Sequence, residues 1–379
     1  MMYDYSSTIE FLLDWYDQNA RILPWRENPK PYYVWISEIM LQQTRVEAVK
    51  AYFERFIHAL PDIHSLAVVD EDKLLKLWEG LGYYNRARNL QKAAVILVRD
   101  YGGELPGDYM ELLKLPGIGS YTAGAIASIA FHIAEPAVDG NVLRVMMRVS
   151  GCFDDITEAK VKKQLEEDIR AIMPKSRPGD FNQAVMELGA TVCIPVGRPL
   201  CDKCPLVHLC QAYKNRTEDR IPVKKEKKQR QIKERTIFVI EAEGKYALNK
   251  REKKGLLAGL MEFPGAESKL SASAAEEYLD KMGYSVEQII PLGDAKHIFS
   301  HVEWHMTGYL VRLQEGVAED AKIYMAEKGI SKNPPVWASA KEIEEIYSLP
   351  SAFDYYKKFL YKQLKIYGFR LQEGCTREL

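Results

Sequence analysis

Apolar residues recur at helical spacing along the first half of the chain. Phe11, Leu12, Trp15 and Tyr16 share one face, and Ser7 with Glu10 has the form of a capping box ahead of them, so a first helix is predicted to begin there. The same period predicts helices over about 33–57, 71–79, 83–100, 108–113, 120–131, 141–150, 157–171 and 180–190, separated by Pro61, Gly80, Gly102, Pro106, Pro136 and Pro174. No strand period appears before residue 220, so this half reads as all-α. Residues 220–235 then hold eight Lys/Arg against two Glu with no large apolar stripe, which reads as a basic linker. Beyond it, β-rich runs at 236–242, 246–248 and 301–313 interleave with helical stretches near 271–282 and 352–366, the pattern of an α+β domain. The expected organisation is multidomain: 1–219 helical, 220–235 linker, 236–379 α+β.

Composition narrows the class. A length of 379 residues suits two domains, and 47% hydrophobic with 28% charged residues excludes disordered and low-complexity chains. No apolar run reaches the roughly 18 residues of a membrane span, and Asp4 and Glu10 spoil a positively charged leader, so a cytoplasmic monomer with no membrane partner is expected. The balance of 52 Lys+Arg against 53 Asp+Glu argues on its face against a nucleic-acid partner. The average hides local bias, however: the linker is +6, and Arg86, Arg88 and Lys92 fall within 80–92 with no acid, so phosphate contact is expected to be patchy.

Three segments carry chemistry. In Leu115, Pro116, Gly117, Ile118, Gly119, Ser120, Tyr121, Thr122 and Ala123, between two helical patterns, the glycines permit positive φ and close approach, and the following helix offers free N–H groups to a phosphate. Asp139, ahead of a helix, reads by itself as an N-cap, and Glu38 as a helix-face glutamate. Yet Glu38 lies among apolar neighbours that disfavour its charged form and suit it to proton donation near neutral pH. One protonated acid beside one carboxylate is what cleavage of a glycosidic bond through an oxocarbenium-like transition state requires. Finally, Cys193, Cys201, Cys204 and Cys210 run C-x7-C-x2-C-x5-C, and four thiolates suit either zinc or an iron-sulfur cluster. Cys152 and Cys375 read as ordinary free thiols.

The hairpin, the segment Val138, Asp139, Gly140, Asn141, and the motifs SEIMLQQT (37–44), GLGYYNRARNL (80–90) and FNQAVMELGA (181–190) occur in this order with the cysteine cluster. Together they resemble the helix-hairpin-helix DNA glycosylases, and within them the MutY-type adenine glycosylases, over nearly the whole chain. The resemblance implies that Glu38 protonates N7 of a flipped adenine, that Asp139 stabilises the ribosyl cation, and that Tyr121 and Asn141 arrange the site. Trp25, Arg26 and Gln183 would line the adenine pocket. Gln43, Thr44, Leu81 and Tyr83 would lie around the opposing base and fill the gap in the stack, with Gly117 and Gly119 on the DNA backbone. Related enzymes that also nick DNA carry a lysine where this chain has Tyr121. A monofunctional enzyme is therefore implied, with Lys114 a weak candidate for residual lyase chemistry. The resemblance also implies a 4Fe-4S cluster, although the family's usual first cysteine gap is six residues, not seven, and it places the protein in a bacterial cytoplasm, acting at the nucleoid.

The second domain resembles the Nudix-like C-terminal domain of the same enzymes. The stretch GLLAGLMEFPG (255–265) is similar to the start of a Nudix motif, but the acidic helix that would hold magnesium is missing. The implied partner is duplex DNA holding adenine opposite 8-oxoguanine or guanine, read by Phe299, Ser300 and His301. The alternatives are an endonuclease III-like glycosylase/lyase, a non-catalytic iron-sulfur DNA-binding protein, and a Nudix hydrolase.

Overall fold

The computed structural model describes residues 3–225, 229–314 and 334–360. Packing divides them into two compact units: the chain up to Val69 with that from Asn85 to the basic segment, and Asp70–Tyr84 with the remainder.

The first unit is helical. Helix α1 (Ile9–Asn19) follows a 3-10 turn, Ser6–Thr8, in which the Thr8 hydroxyl donates to the Tyr5 carbonyl at 2.7 Å. The expected Ser7–Glu10 capping box is not formed, and of the predicted apolar face Leu12 and Tyr16 are buried while Phe11 is exposed. A short helix α2 (Pro24–Glu27) leads into α3 (Pro31–Leu41), where Pro31 occupies the position that a ring without N–H suits. The single helix expected over 33–57 is two: α3 ends at Leu41 and α4 spans Val46–Ala59. The break has a long-range cause. The Arg86 guanidinium donates to the carbonyls of Ile39 at 2.6 Å and Gln42 at 2.7 Å, satisfying the end of α3, and Gln43 turns the chain at φ 58°. Arg86, expected to meet phosphate, is thus committed inside the fold.

Helices α5 (Ile63–Val68), α6 (Glu71–Leu77), α7 (Asn85–Asp100), α8 (Tyr109–Leu112), α9 (Ser120–Phe131), α10 (Gly140–Ser150), α11 (Ala159–Ile172), α12 (Pro178–Thr191) and α13 (Gln211–Asn215) follow. The short α2, α5 and α13 escaped the periodicity. α9 is built of small residues, with Thr122, Ala123, Gly124, Ala125 and Ala127 all buried, and so lies close against both α3 and α12. At Gly189 on α12 a Cβ would sit 2.7 Å from the Asn141 Cβ, so glycine there lets α12 approach the start of α10.

The second unit is α+β. Its sheet runs β3 (Met261–Glu262), β2 (Lys245–Lys250), β1 (Gln231–Ala242), β6 (Val302–Leu313), β5 (Val286–Ile298), with β4 (Gly265–Ala266) paired to β1 and β7 (Val336–Ser339) to β2. β1 and β6 are parallel, from Gln231 opposite Val302 to Glu241 opposite Arg312; the other pairs are antiparallel. One sheet face packs Val239, Trp304, Met306, Phe353 and Tyr356; the other packs Phe238, Ile240 and Val311 against α14 (Ala272–Lys281). Here the linker expectation is corrected at its end, since 231–235 are strand, exposed until Arg235 turns inward over the Trp304 ring at 4.3 Å. At its other end Ile221 is buried in the helical unit and gives its carbonyl to Arg148 at 2.8 Å. The C-terminal part of the helix expected over 352–366 lies outside the described residues.

Candidate active site

Glu38 projects from the middle of α3 and is only 6% exposed. Burial pushes its carboxyl up to about 7; the Tyr121 hydroxyl, which donates to it from the first turn of α9, pulls the other way, and the nearby Asp139 adds to the rise. Asp139 caps α10. Its Oδ1 accepts from the backbone N–H of Asn141 at 2.8 Å and of Val142 at 2.7 Å, and its Oδ2 accepts from the Asn141 side chain at 2.8 Å. Burial raises this carboxyl too, but three donors and the Arg144 charge oppose it. The capping reading therefore holds, and the same N–H groups at the start of the helix favour an anion on this side chain.

Both carboxylates line one cavity of about 150 Å³, together with Tyr121, Asn141, Trp25, Arg26, Gln183 and Thr44. Eight residues singled out from sequence thus meet in one place. Trp25 belongs to the core as well, packed edge-on against Phe53 at 5.4 Å. Two further residues emerge only from the fold. Glu187, on α12 one turn after Gln183, binds Arg26 at 2.9 Å and also Arg21; burial pushes Glu187 up, but the two arginines outweigh it and hold the carboxyl below its ordinary value. Its signal was present, since it stands inside the 181–190 motif at helical spacing from Gln183. Arg144 ties the site to the cysteine loop. Its guanidinium donates to Asn141 Oδ1 at 2.8 Å, to the Gly189 carbonyl at 2.7 Å and to the Cys193 carbonyl at 2.7 Å.

The hairpin glycines differ. Gly117 has φ +80°, and a Cβ there would meet the Asn89 Cβ at 2.8 Å. Gly119 is extended at φ −98° and caps α9 with no side-chain partner, leaving open space where a Cβ would stand. The expectation of positive φ therefore holds at the first glycine only, while the second starts α9 without a side-chain cap on its first amides. Lys114 is exposed and pairs with Glu111 at 2.6 Å, away from the cavity lining.

The four cysteines line a second cavity with Arg148, which donates to Cys193 Sγ at 3.2 Å. The seven-residue gap is accommodated by Gly197 at φ +80° and by the Leu200 N–H returning to the Val192 carbonyl at 2.9 Å. Among the described residues, no three His, Cys, Asp or Glu converge as ligands of a single ion. In the other unit, Leu81 is buried and Tyr83 is 51% exposed at φ 48°. Residues 299–301 form the β5–β6 turn, closed by the Phe299 N–H on the Val302 carbonyl at 2.8 Å. The Phe299 ring packs on His297 and Trp304 at 4.6 and 4.9 Å, and Ser300 and His301 are exposed, 3.3 Å apart.

A family model described as HhH-GPD superfamily base excision DNA repair protein matches residues 36–171, and a NUDIX domain model matches 236–357. The adenine DNA glycosylase of Buchnera aphidicola subsp. Schizaphis graminum is 35% identical, with 89% of this chain and 94% of that protein covered. The chain belongs to the adenine DNA glycosylase family. The adenine DNA glycosylase of Rattus norvegicus is 36% identical over 80% of this chain and 70% of its own. Among solved structures, a thermostable thymine-DNA glycosylase aligns with TM-score 0.50 and 29% identity, over 55% of this chain and 96% of that one. As an adenine DNA glycosylase of base excision repair, the protein is a DNA N-glycosylase, a hydrolase whose partner is DNA. Among the described residues no helix is long and apolar enough to cross a membrane.

Proposed function

We propose that this glycosylase removes adenine opposite 8-oxoguanine, and more slowly opposite guanine, by hydrolysis alone, leaving an abasic site. The observation that carries the reading is the pairing in one cavity of Glu38, half protonated at about pH 7, with the donor-held Asp139. In this reading, adenine extruded into the cavity meets the Glu38 proton at N7. The protonated base leaves with the bonding electrons, and Asp139 stabilises the positive charge left on the sugar until water adds. Tyr121 holds the Glu38 carboxyl in place, while Asn141 and Arg144 fix Asp139. Arg26 and Gln183 supply the polar edge of the base pocket, with Trp25 as its wall. Gly117 and Gly119 shape the phosphate contact, and Gln43, Thr44, Leu81 and Tyr83 act around the opposing base and the vacated stack.

Hydrolysis without strand cleavage is supported by the cavity lining, which holds Tyr121 and no lysine among the described residues. Cys193, Cys201, Cys204 and Cys210, which line one shared cavity, would supply the four thiolates of a 4Fe-4S cluster. Bound there, the cluster supplies iron–thiolate bonds that cross-link the 193–210 loop, and no step of the hydrolysis passes through it. Phe299, Ser300 and His301, on the exposed turn, read the opposing 8-oxoguanine.

Labelled duplexes holding A:8-oxoG, A:G or thymine glycol, compared with and without hot alkali, test the reading. Adenine loss from the first two, with strand breaks only after alkali, is expected; breaks without alkali would overturn hydrolysis as the sole activity.

A further inference from the structure

Segment 70–84 lies in sequence between helices of the catalytic unit but packs with the other one. Its attachment is polar and saturated. The Lys76 ammonium donates to the carbonyls of Ile343 at 3.1 Å and Tyr347 at 3.0 Å, around the end of the helix Ala340–Glu345, and to the Glu79 carboxylate, so each of its three N–H groups has an acceptor. Glu79 also takes Lys357 at 3.0 Å. These three side chains are 16–18% exposed, so the contacts are shielded from water and salt in a way that surface pairs are not. The Ser348 hydroxyl donates to the Leu75 carbonyl at 3.2 Å, and Lys250 on β2 pairs with Asp72 at 2.7 Å. Directly after Glu79 comes a turn of unusual backbone: Gly80 at φ 97°, Gly82 at φ 68° and Tyr83 at φ 48°. The Trp78 indole N–H donates to the Gly82 carbonyl at 3.1 Å, which ties this turn to the end of α6, the stretch that Lys76 and Glu79 fasten to the rest of the unit.

We propose that Lys76, Glu79 and Lys357 are positioning residues for Tyr83, fastening it to the unit that carries the 299–301 turn, so that reading the opposing base and unstacking the adenine are done by one compact body. This rests on the reading of Tyr83 as the residue that enters the stack. A pin of this kind transmits recognition: engagement of the turn with its base fixes where Tyr83 presses, and a loosened root lets the tyrosine yield instead of the base pair.

Full-length enzyme and duplexes carrying 2-aminopurine opposite 8-oxoguanine report unstacking by fluorescence, beside single-turnover excision from A:8-oxoG. Lys76→Met and Glu79→Gln should each slow unstacking about tenfold, the scale of losing one charge-assisted hydrogen bond. Lys76→Arg should recover most of the rate, and Lys76→Met added to Tyr83→Ala should slow it no further than Tyr83→Ala alone. Wild-type unstacking in both Lys76→Met and Glu79→Gln, with Tyr83→Ala slow, overturns the pin and leaves the role of Tyr83 standing. Additive losses in the double variant also overturn it. Wild-type unstacking in Tyr83→Ala removes the reading on which it rests. Should Lys76→Met fail to fold, the isosteric Glu79→Gln decides alone.

Discussion

Replacing Glu38 by Gln should abolish excision and, at alkaline pH, make the protein more stable. The carboxyl is buried in α3, and its proton is held to about pH 7, against an ordinary value of 4.5. Because the folded value lies above the unfolded one, the stability that protonated Glu38 allows is complete below about pH 4.5 and is lost as pH rises through about 7. The gap between 4.5 and about 7 corresponds to about 3 kcal/mol. A glutamine has nearly the same shape, still accepts from the Tyr121 hydroxyl and carries no charge. Its advantage over wild type should therefore be about 1 kcal/mol at pH 5 and about 3 kcal/mol at pH 8.

Urea unfolding of both proteins at the two pH values measures this difference directly, and single-turnover excision measures the function. Wild-type excision should fall about tenfold from pH 6 to pH 8 as the protonated fraction falls. A stability gap that is equal at pH 5 and pH 8 would refute the raised carboxyl, and excision by Glu38→Gln near the wild-type rate would refute its role as the acid.

Four other variants separate neighbouring effects. Gly119→Ala places its Cβ in open space and should change stability by less than about 0.5 kcal/mol while weakening duplex binding, whereas Gly117→Ala, at φ +80° and 2.8 Å from the Asn89 Cβ, should lose about 1–3 kcal/mol of stability; unfolding and duplex titration check both. Arg144→Leu strips the donors from Asn141 and from the Cys193 and Gly189 carbonyls, and should cost about 3 kcal/mol and slow single-turnover excision while duplex affinity holds. Ser300→Ala combined with His301→Ala should narrow the rate difference between A:8-oxoG and A:G, and unchanged selectivity would remove the β5–β6 turn from recognition.

What was legible in the sequence was local. The capping position of Asp139, the apolar surroundings of Glu38 and the glycine hairpin are each written within ten residues, and all survive in the structure. What failed depends on distant partners. Nothing in 33–57 marks a break at Gln42, because the guanidinium that ends α3 comes from Arg86, 44 residues on from that carbonyl. β5 escaped notice because it is largely exposed and carries irregular pairing between Pro291 and Gly293, so its apolar residues do not alternate. The attachment of 70–84 left no trace because Lys76 is held by backbone carbonyls, which every residue has. Glu187 shows the intermediate case: its spacing from Gln183 was readable, but its value to the site comes from two arginines contributed by the stretch around α2.

The near-neutral charge, which on its face argues against a nucleic-acid partner, does not report where the cations point. Arg26, Arg86, Arg144 and Arg148 point their guanidinium groups at a buried carboxylate, at backbone carbonyls or at a cysteine sulfur, and Arg21 shares Glu187. Charge counting credits these five to the surface, where they do not act. The count of 52 Lys+Arg therefore overstates the basic surface available. If DNA is held at the hairpin, the donors there are peptide N–H groups at the open start of α9, whose partial charge appears in no residue count and whose contribution to the salt dependence of binding is small. The affinity that remains salt-sensitive must come from cations other than these five arginines. A shallow salt slope with firm duplex binding is the physical consequence of arginines turned inward and amides turned out.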